Sequence, residues 1–131
     1  MHTNIQVITT TETKAQAEAI ARALVERRDA ACVQIVGPIT SIYRWQGKIE
    51  TSEEWRCEAK SRQDLYARIE ATIRGLHPYQ VPEIIALPIV AGSPEYLRWL
   101  ETETKDEGSH NSVVVPRCSC QIVADKGQKT S

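Results

Sequence analysis

The sequence carries almost no net charge: 16 basic and 17 acidic residues give a formal charge of −1 over 131 residues. Without a strong positive field, phosphate backbones and anionic lipid surfaces are not expected partners. No apolar run approaches the roughly 20 residues that a membrane span requires. The first residues also lack the basic and apolar regions of an export signal. These absences predict a cytoplasmic protein that binds neither nucleic acid nor membranes.

Signatures of catalysis are missing as well. The glycines Gly75, Gly92 and Gly108 stand alone and form neither a phosphate-binding loop nor a dinucleotide-binding fingerprint. No nucleophile has an evident base beside it. The four cysteines occur in a chain long enough for an ordinary core, so reduced thiols are expected and not disulfides. The sequence therefore predicts one non-enzymatic domain.

The first half of the chain shows a strand, a helix and a long hairpin. A β-branched run at 5–8 indicates a strand, and Thr13 opens an amphipathic helix through a capping box with Gln16. Two further strand patterns follow at 31–45 and 48–60. The first of these is expected to be kinked by a proline, and the two are joined at a Gln-Gly turn.

The second half predicts a helix, a strand and a short third helix. Ser61 is expected to cap the second helix, whose inner face is formed by Leu65, Ile69, Ile73 and Leu76. The fourth strand, at 84–90, contains a proline that indicates an edge position, and Ser93 caps the third helix. The order β-α-β-β-α-β is typical of an α+β, ferredoxin-like sandwich. It is predicted for residues 1–105, with a flexible tail at 106–131.

The predicted hairpin indicates an oligomer. Its strands are about twice as long as the usual 5 to 6 residues, and a core of about 100 residues cannot cover the whole hairpin. Its far end would expose Ile42, Tyr43, Trp45 and Trp55 along an unpaired edge. A second subunit is the simplest cover for such a surface.

The main candidate site is the stretch from His77 to Glu83, which holds an imidazole, a phenol and a carboxylate between two prolines. His77 is expected to bond a backbone carbonyl as a structural strut, with ligand binding as the second reading and catalysis as the third. Tyr79 and Glu83 would line a cleft between subunits or form a polar network there. Lys60 would pair with Glu83 or a bound anion, or remain solvated.

The aromatic and sulfur-containing residues have two alternative interpretations each. Tyr43, Trp45 and Trp55 form either an aromatic wall for a small molecule or packing between subunits. Cys32 is either a small buried hydrophobe or a metal ligand. In the tail, Cys118 and Cys120 either chelate a soft ion such as Cu(I) or zinc, joined by His110, or are incidental.

Several ordered pieces of the sequence resemble the CutA divalent-cation tolerance family. They are Ala30–Val33, Ser41–Ile49, Glu54, Lys60, His77–Ile84 and Tyr96–Trp99. The resemblance implies a ferredoxin-like subunit, a homotrimer interlocked by strand pairing, and a role in tolerance of copper and other divalent metals. It also implies a likeness to the trimeric PII-type signalling proteins, so an effector sensor using the cleft between subunits is the alternative function.

The resemblance also bears on the metal. Copper binding in some family members is associated with a cysteine at the end of the first strand and two adjacent histidines that open the His-Pro-Tyr motif. The matching residues here are Thr9, Leu76 and His77. Copper or another divalent metal is thus the implied cofactor, with His77 and Cys32 as core candidates and Cys118 and Cys120 as tail candidates.

Overall fold

The computed structural model describes residues 3–104, so the predicted tail lies outside the described residues. The elements are β1 (Asn4–Thr11), α1 (Lys14–Glu26), β2 (Cys32–Trp45), β3 (Lys48–Arg62), a 3-10 turn (Gln63–Leu65), α2 (Tyr66–Leu76), β4 (Ile84–Pro88) and α3 (Pro94–Glu103). None of the helices in this range is long and apolar enough to cross a membrane. The predicted order β-α-β-β-α-β, followed by a short helix, is confirmed.

The four strands form one antiparallel sheet in the order β2-β3-β1-β4. Helices α1 and α2 cover one face, because their apolar stripes meet the inward side chains of β1 and β3. The buried residues of this core are Ile5, Val7, Ile20, Leu24, Ala30, Ala59, Leu65, Ile69 and Ile73. Successive strand residues point to opposite faces. Val33 packs on this core and Cys32 packs on α3, so α3 covers part of the other face.

The hairpin of β2 and β3 is kinked where the sequence predicts. The register shifts between Val36 and Ile39, and the ring of Trp55 fills the space beside Gly37. A Cβ atom at Gly37 would lie 2.5 Å from Cε3 of Trp55, which explains the glycine. At the tip, Gln46 and Gly47 both have positive φ (52° and 79°), as a two-residue turn between twisted strands requires.

Beyond the kink, the hairpin extends past the core. We call the segment formed by 39–45 and 48–54 the distal hairpin. Its apolar side chains are exposed in the single chain, with Ile42 and Ile49 at 70% and 68% exposure and Tyr43 and Trp45 above 40%. β2 and β4 are the two edges of the sheet, which agrees with the edge position predicted for the fourth strand.

The start of α2 differs from the prediction. Ser61 does not cap the helix; it is the penultimate residue of β3, and its hydroxyl donates to the carbonyl of Asp29. A 3-10 turn opens the helix, without a side-chain cap. Leu76 is also not on the inner face, since it is 48% exposed in the last turn. β4 ends at Pro88, two residues earlier than predicted.

Two arginines fasten α3 to the domain. Arg28, just after α1, donates through Nε to the carbonyl of Glu103 (3.0 Å) and through Nη2 to that of Thr102 (2.8 Å). Arg62 donates to the carbonyl of Thr104. These carbonyls lie at the C-terminal end of α3, and guanidinium groups suit the negative end of its dipole. The α3 position therefore depends on residues distant in sequence.

Candidate functional site

His77 is held rigidly between β1 and the loop before β4. It follows α2, and it is only 9% exposed. Its Nε2 lies 2.6 Å from the carbonyl oxygen of Thr10, and its Nδ1 lies 3.2 Å from the amide nitrogen of Tyr79. A carbonyl can only accept and an amide N–H can only donate, so the hydrogen sits on Nε2. Both ring nitrogens are engaged, which is the arrangement of a structural strut.

Tyr79 continues this network to β3. Its ring packs on that of His77 with centroids 4.6 Å apart, and its hydroxyl donates to Oε2 of Glu54 at 2.7 Å. Burial raises the pKa of Tyr79, and the hydrogen bond to Glu54 and the charge of that carboxylate raise it further. Tyr79 is therefore a neutral donor over the whole physiological range. The network joins the loop, β1 and β3 into one unit.

Glu54 is the residue of this site that was not among the predicted site residues. It lies on β3 and is only 7% exposed. Alternation identifies the two faces of a strand but not what covers each face. The signal that pointed to Glu54 was its place among the pieces that resemble the CutA family, together with the phenol of Tyr79 in the candidate stretch.

The predicted aromatic wall is divided between two faces. Tyr43 and Trp45 lie opposite Glu50 and Lys48 on the distal hairpin, two residues apart and therefore on one face. The hydroxyl of Tyr43 accepts a hydrogen bond from Ser52 (3.2 Å). Trp55 pairs with Thr11, the last residue of β1, and lies on the opposite face of β3 from Glu54. Tyr43 and Trp45 share the face of Glu54, and Tyr43 lies close enough to raise the pKa of Tyr79.

Trp55 has its own environment on the helix face. Its ring lies against Gly37, and the ammonium of Lys14 on α1 sits 5.7 Å from the ring centroid. This distance is within the range of a cation–π contact. Trp55 therefore supports the kink of the hairpin and is not continuous with Tyr43 and Trp45.

Lys60 and Glu83 do not pair in the structure. The ammonium of Lys60 donates to Oε1 of Gln34 at 2.7 Å, across β2 and β3. Glu83 is exposed before β4. The structure thus brings together His77, Tyr79 and Glu54 but leaves Lys60 and Glu83 outside that network.

The core candidates for metal ligation are far apart. Cys32 pairs with Lys60, which in turn pairs with Gln6 of β1. His77 instead contacts Thr10, four residues farther along β1. Four residues along a strand correspond to about 13 Å. Cys32 is buried, with its sulfur 4.0 Å from the hydroxyl of Tyr96. No three His, Cys, Asp or Glu residues within 3–104 are grouped so as to hold a metal ion.

Of the other cysteines, Cys57 lies within the described residues, and its thiol is not a suitable metal ligand. Burial raises the pKa of Cys57 to about 11, and its thiol donates to the carbonyl of Ala17. A protonated thiol is a poor metal ligand at neutral pH. Cys118 and Cys120 lie outside the described residues. The donors present in residues 3–104 of one copy therefore do not fit a resident copper centre.

Comparison with known proteins shows which family the sequence matches. The family model for the CutA1 divalent ion tolerance protein matches residues 5–103. The divalent-cation tolerance protein CutA of Thermus thermophilus is 46% identical over 98 residues, covering 75% of this chain and 95% of that protein. Human protein CutA is 45% identical over 89 residues, covering 68% of this chain. The chain spans about half (50%) of the human protein.

Solved structures agree with the sequence matches. The Thermus thermophilus protein superposes with a TM-score of 0.76 at 44% identity, covering 78% of this chain and 99% of that one. A CutA described as periplasmic, from Archaeoglobus fulgidus, has a TM-score of 0.76 at 34% identity, with 78% and 99% coverage. These similarities give the PII-like alternative no support. They show that the chain belongs to the CutA1 divalent ion tolerance protein family.

Proposed function

We propose that this chain is the subunit of a homotrimer that acts in divalent-cation tolerance, without catalysing a reaction. The observation that carries the assembly is the distal hairpin, whose Ile42, Ile49, Tyr43 and Trp45 are exposed in the single chain. Ile42 and Ile49 lie on one face of this hairpin and Tyr43 and Trp45 on the other. Exposed apolar side chains clustered in this way typically mark a contact with another protein. The open edges β2 and β4 supply the backbone groups for strand pairing between copies.

The tolerance role rests on family membership, and the family is named for an ion and not for a reaction. The cytoplasm is the proposed compartment, although one relative is described as periplasmic. The ligand we propose is copper or another divalent metal. Since both nitrogens of His77 are engaged and Cys57 is protonated, we assign the metal donors to Cys118 and Cys120, whose thiolates suit soft ions.

Light scattering tests the assembly. At micromolar concentration the chain is expected to have three times the 14.7 kDa mass of one copy. Ile42→Ser and Ile49→Ser should each weaken assembly by about tenfold or more, because each removes an apolar side chain worth about 1.5 to 3 kcal/mol when buried. Val25→Ser, at an exposed position of α1, is the matched control and should leave the mass unchanged. A monomeric wild-type chain would contradict the proposal.

Calorimetric titration tests the metal. Cu(I) and Zn²⁺ are expected to bind the intact chain saturably, and the double variant Cys118→Ser/Cys120→Ser should lose this binding. His77→Gln should retain it, since the imidazole is already bonded on both sides. Binding that disappears with His77→Gln and survives the double variant would place the metal in the core and refute the tail assignment.

A further inference from the structure

Glu54 is a buried carboxylate that has no cationic partner within residues 3–104 of its own chain. The other strongly buried acid, Asp29, has Arg68 at 2.8 Å. Within residues 3–104, the hydrogen bond of Glu54 comes from the phenol of Tyr79, and no basic side chain lies within ion-pair distance. A desolvated carboxylate with only a neutral donor is costly, because a phenol does not compensate its charge. Residues 3–104 of a single copy therefore leave the charge of Glu54 without a partner.

The groups around Glu54 make a positively charged partner for its carboxylate more necessary. Tyr79 stays protonated, since burial and the carboxylate both raise its pKa. Glu12 and Tyr43 lie close enough to raise it further, so the neighbourhood is acidic and phenolic. A divalent metal would need more hard oxygen donors than one carboxylate and a phenol provide. The missing partner is thus better matched by a basic side chain than by a metal ion.

Two exposed basic residues, Arg44 and Lys48, lie at the tip of the distal hairpin and are candidate partners for Glu54. Neither can reach the carboxylate of its own chain. Glu54 pairs with Ile39, five residues from Arg44 along β2 and six from Lys48 along β3. Those separations correspond to about 17 and 20 Å, farther than either side chain extends. A cation from this tip must come from a second copy.

We infer that Arg44 of a second copy forms an ion pair with Glu54. Arginine fits better than lysine because its planar fork matches a carboxylate and is less strongly hydrated. The tip also carries the exposed Ile42 and Ile49, so docking it would bury apolar surface and the charge together. The inference rests on the proposed assembly in requiring a second copy, but the assembly does not require this pair.

A double-variant cycle tests the pair. Subunit dissociation is measured by light scattering in urea solutions in which the wild-type assembly partly dissociates. Arg44→Gln should weaken assembly by about 30-fold or more, because it leaves Glu54 buried and unpaired. Adding Glu54→Gln should then strengthen assembly again, since no buried charge remains. Lys48→Gln, the matched control, should change it by less than about threefold, as expected of an exposed charge.

The outcomes separate this inference from the proposed assembly. A monomeric wild-type chain overturns both. A trimer in which Arg44→Gln has no effect, or in which Glu54→Gln brings no rescue, overturns the pair alone. If circular dichroism shows that Glu54→Gln does not fold, two charge reversals at the exposed tip test the pair instead. Arg44→Glu should abolish assembly, whereas Lys48→Glu should not. Equal effects of these two variants would refute the assignment.

Discussion

Replacing Trp99 by alanine is expected to lower the free energy of unfolding by about 3 to 5 kcal/mol. Trp99 is almost completely buried and, with Leu100, packs α3 against Ala31 and Cys32. The cavity cannot collapse freely, because Arg28 fixes the end of α3 through two carbonyls. Urea denaturation followed by circular dichroism measures the loss. It must be done at one protein concentration, since assembly adds to apparent stability.

Trp99→Phe is the matched control for this prediction. The indole N–H of Trp99 has no hydrogen-bond partner within residues 3–104. A phenyl ring therefore gives up part of the packing without breaking a hydrogen bond in that region. It should lose less than half of what alanine loses. Equal losses for the two variants would show that the volume at this position does not determine how α3 docks.

Replacing Asp29 by alanine is the second large effect, with an expected loss of about 2 to 3 kcal/mol. Asp29 is fully buried just after α1, and its carboxylate oxygens lie 2.8 Å from Nη2 of Arg68 and 3.3 Å from Nε of Arg27. It thus ties the end of α1 to α2. Because both arginines are about half exposed, they can be rehydrated, which keeps the loss below that of a fully buried pair.

The ion pair between Arg74 and Glu70 gives the comparison. Its atoms approach to 2.9 Å one turn apart on α2, but both side chains are accessible to water. Glu70→Gln should therefore leave the midpoint of the same urea experiment almost unchanged. If Asp29→Ala were as mild as Glu70→Gln, the buried carboxylate would not be the link between the two helices.

Local signals were sufficient for much of the fold. The capping box of Thr13 and Gln16 and the turn at Gln46 are set by neighbouring residues, and the kink near Gly37 was indicated by the proline beside it; each occurs as predicted. Ser61 shows where this approach fails. A serine before an apolar stripe satisfies the local requirements of a helix cap, but β1 pairs with β3 as far as Arg62 and draws Ser61 into the sheet.

The candidate site was predictable in part. The placement of His77 between a helix and a proline indicated a strut, and the hydrogen bond to Thr10 has that form. Its level on the sheet, four residues from that of Cys32, could not be read from the sequence, because register depends on which residues pair. The partner of Tyr79 was missed for the same reason, since Glu54 is 25 residues away along the chain.

The sequence by itself determined the order of the elements, the length of the hairpin and the family, because periodicity, turn residues and ordered motifs are local or nearly local properties. Only the tertiary structure decided which polar residues are buried and with what partner. Glu54, Asp29 and Arg28 all look like ordinary surface charges in the sequence. Each acquires its role when distant elements pack around it, since burial and pairing depend on contacts that no single segment contains.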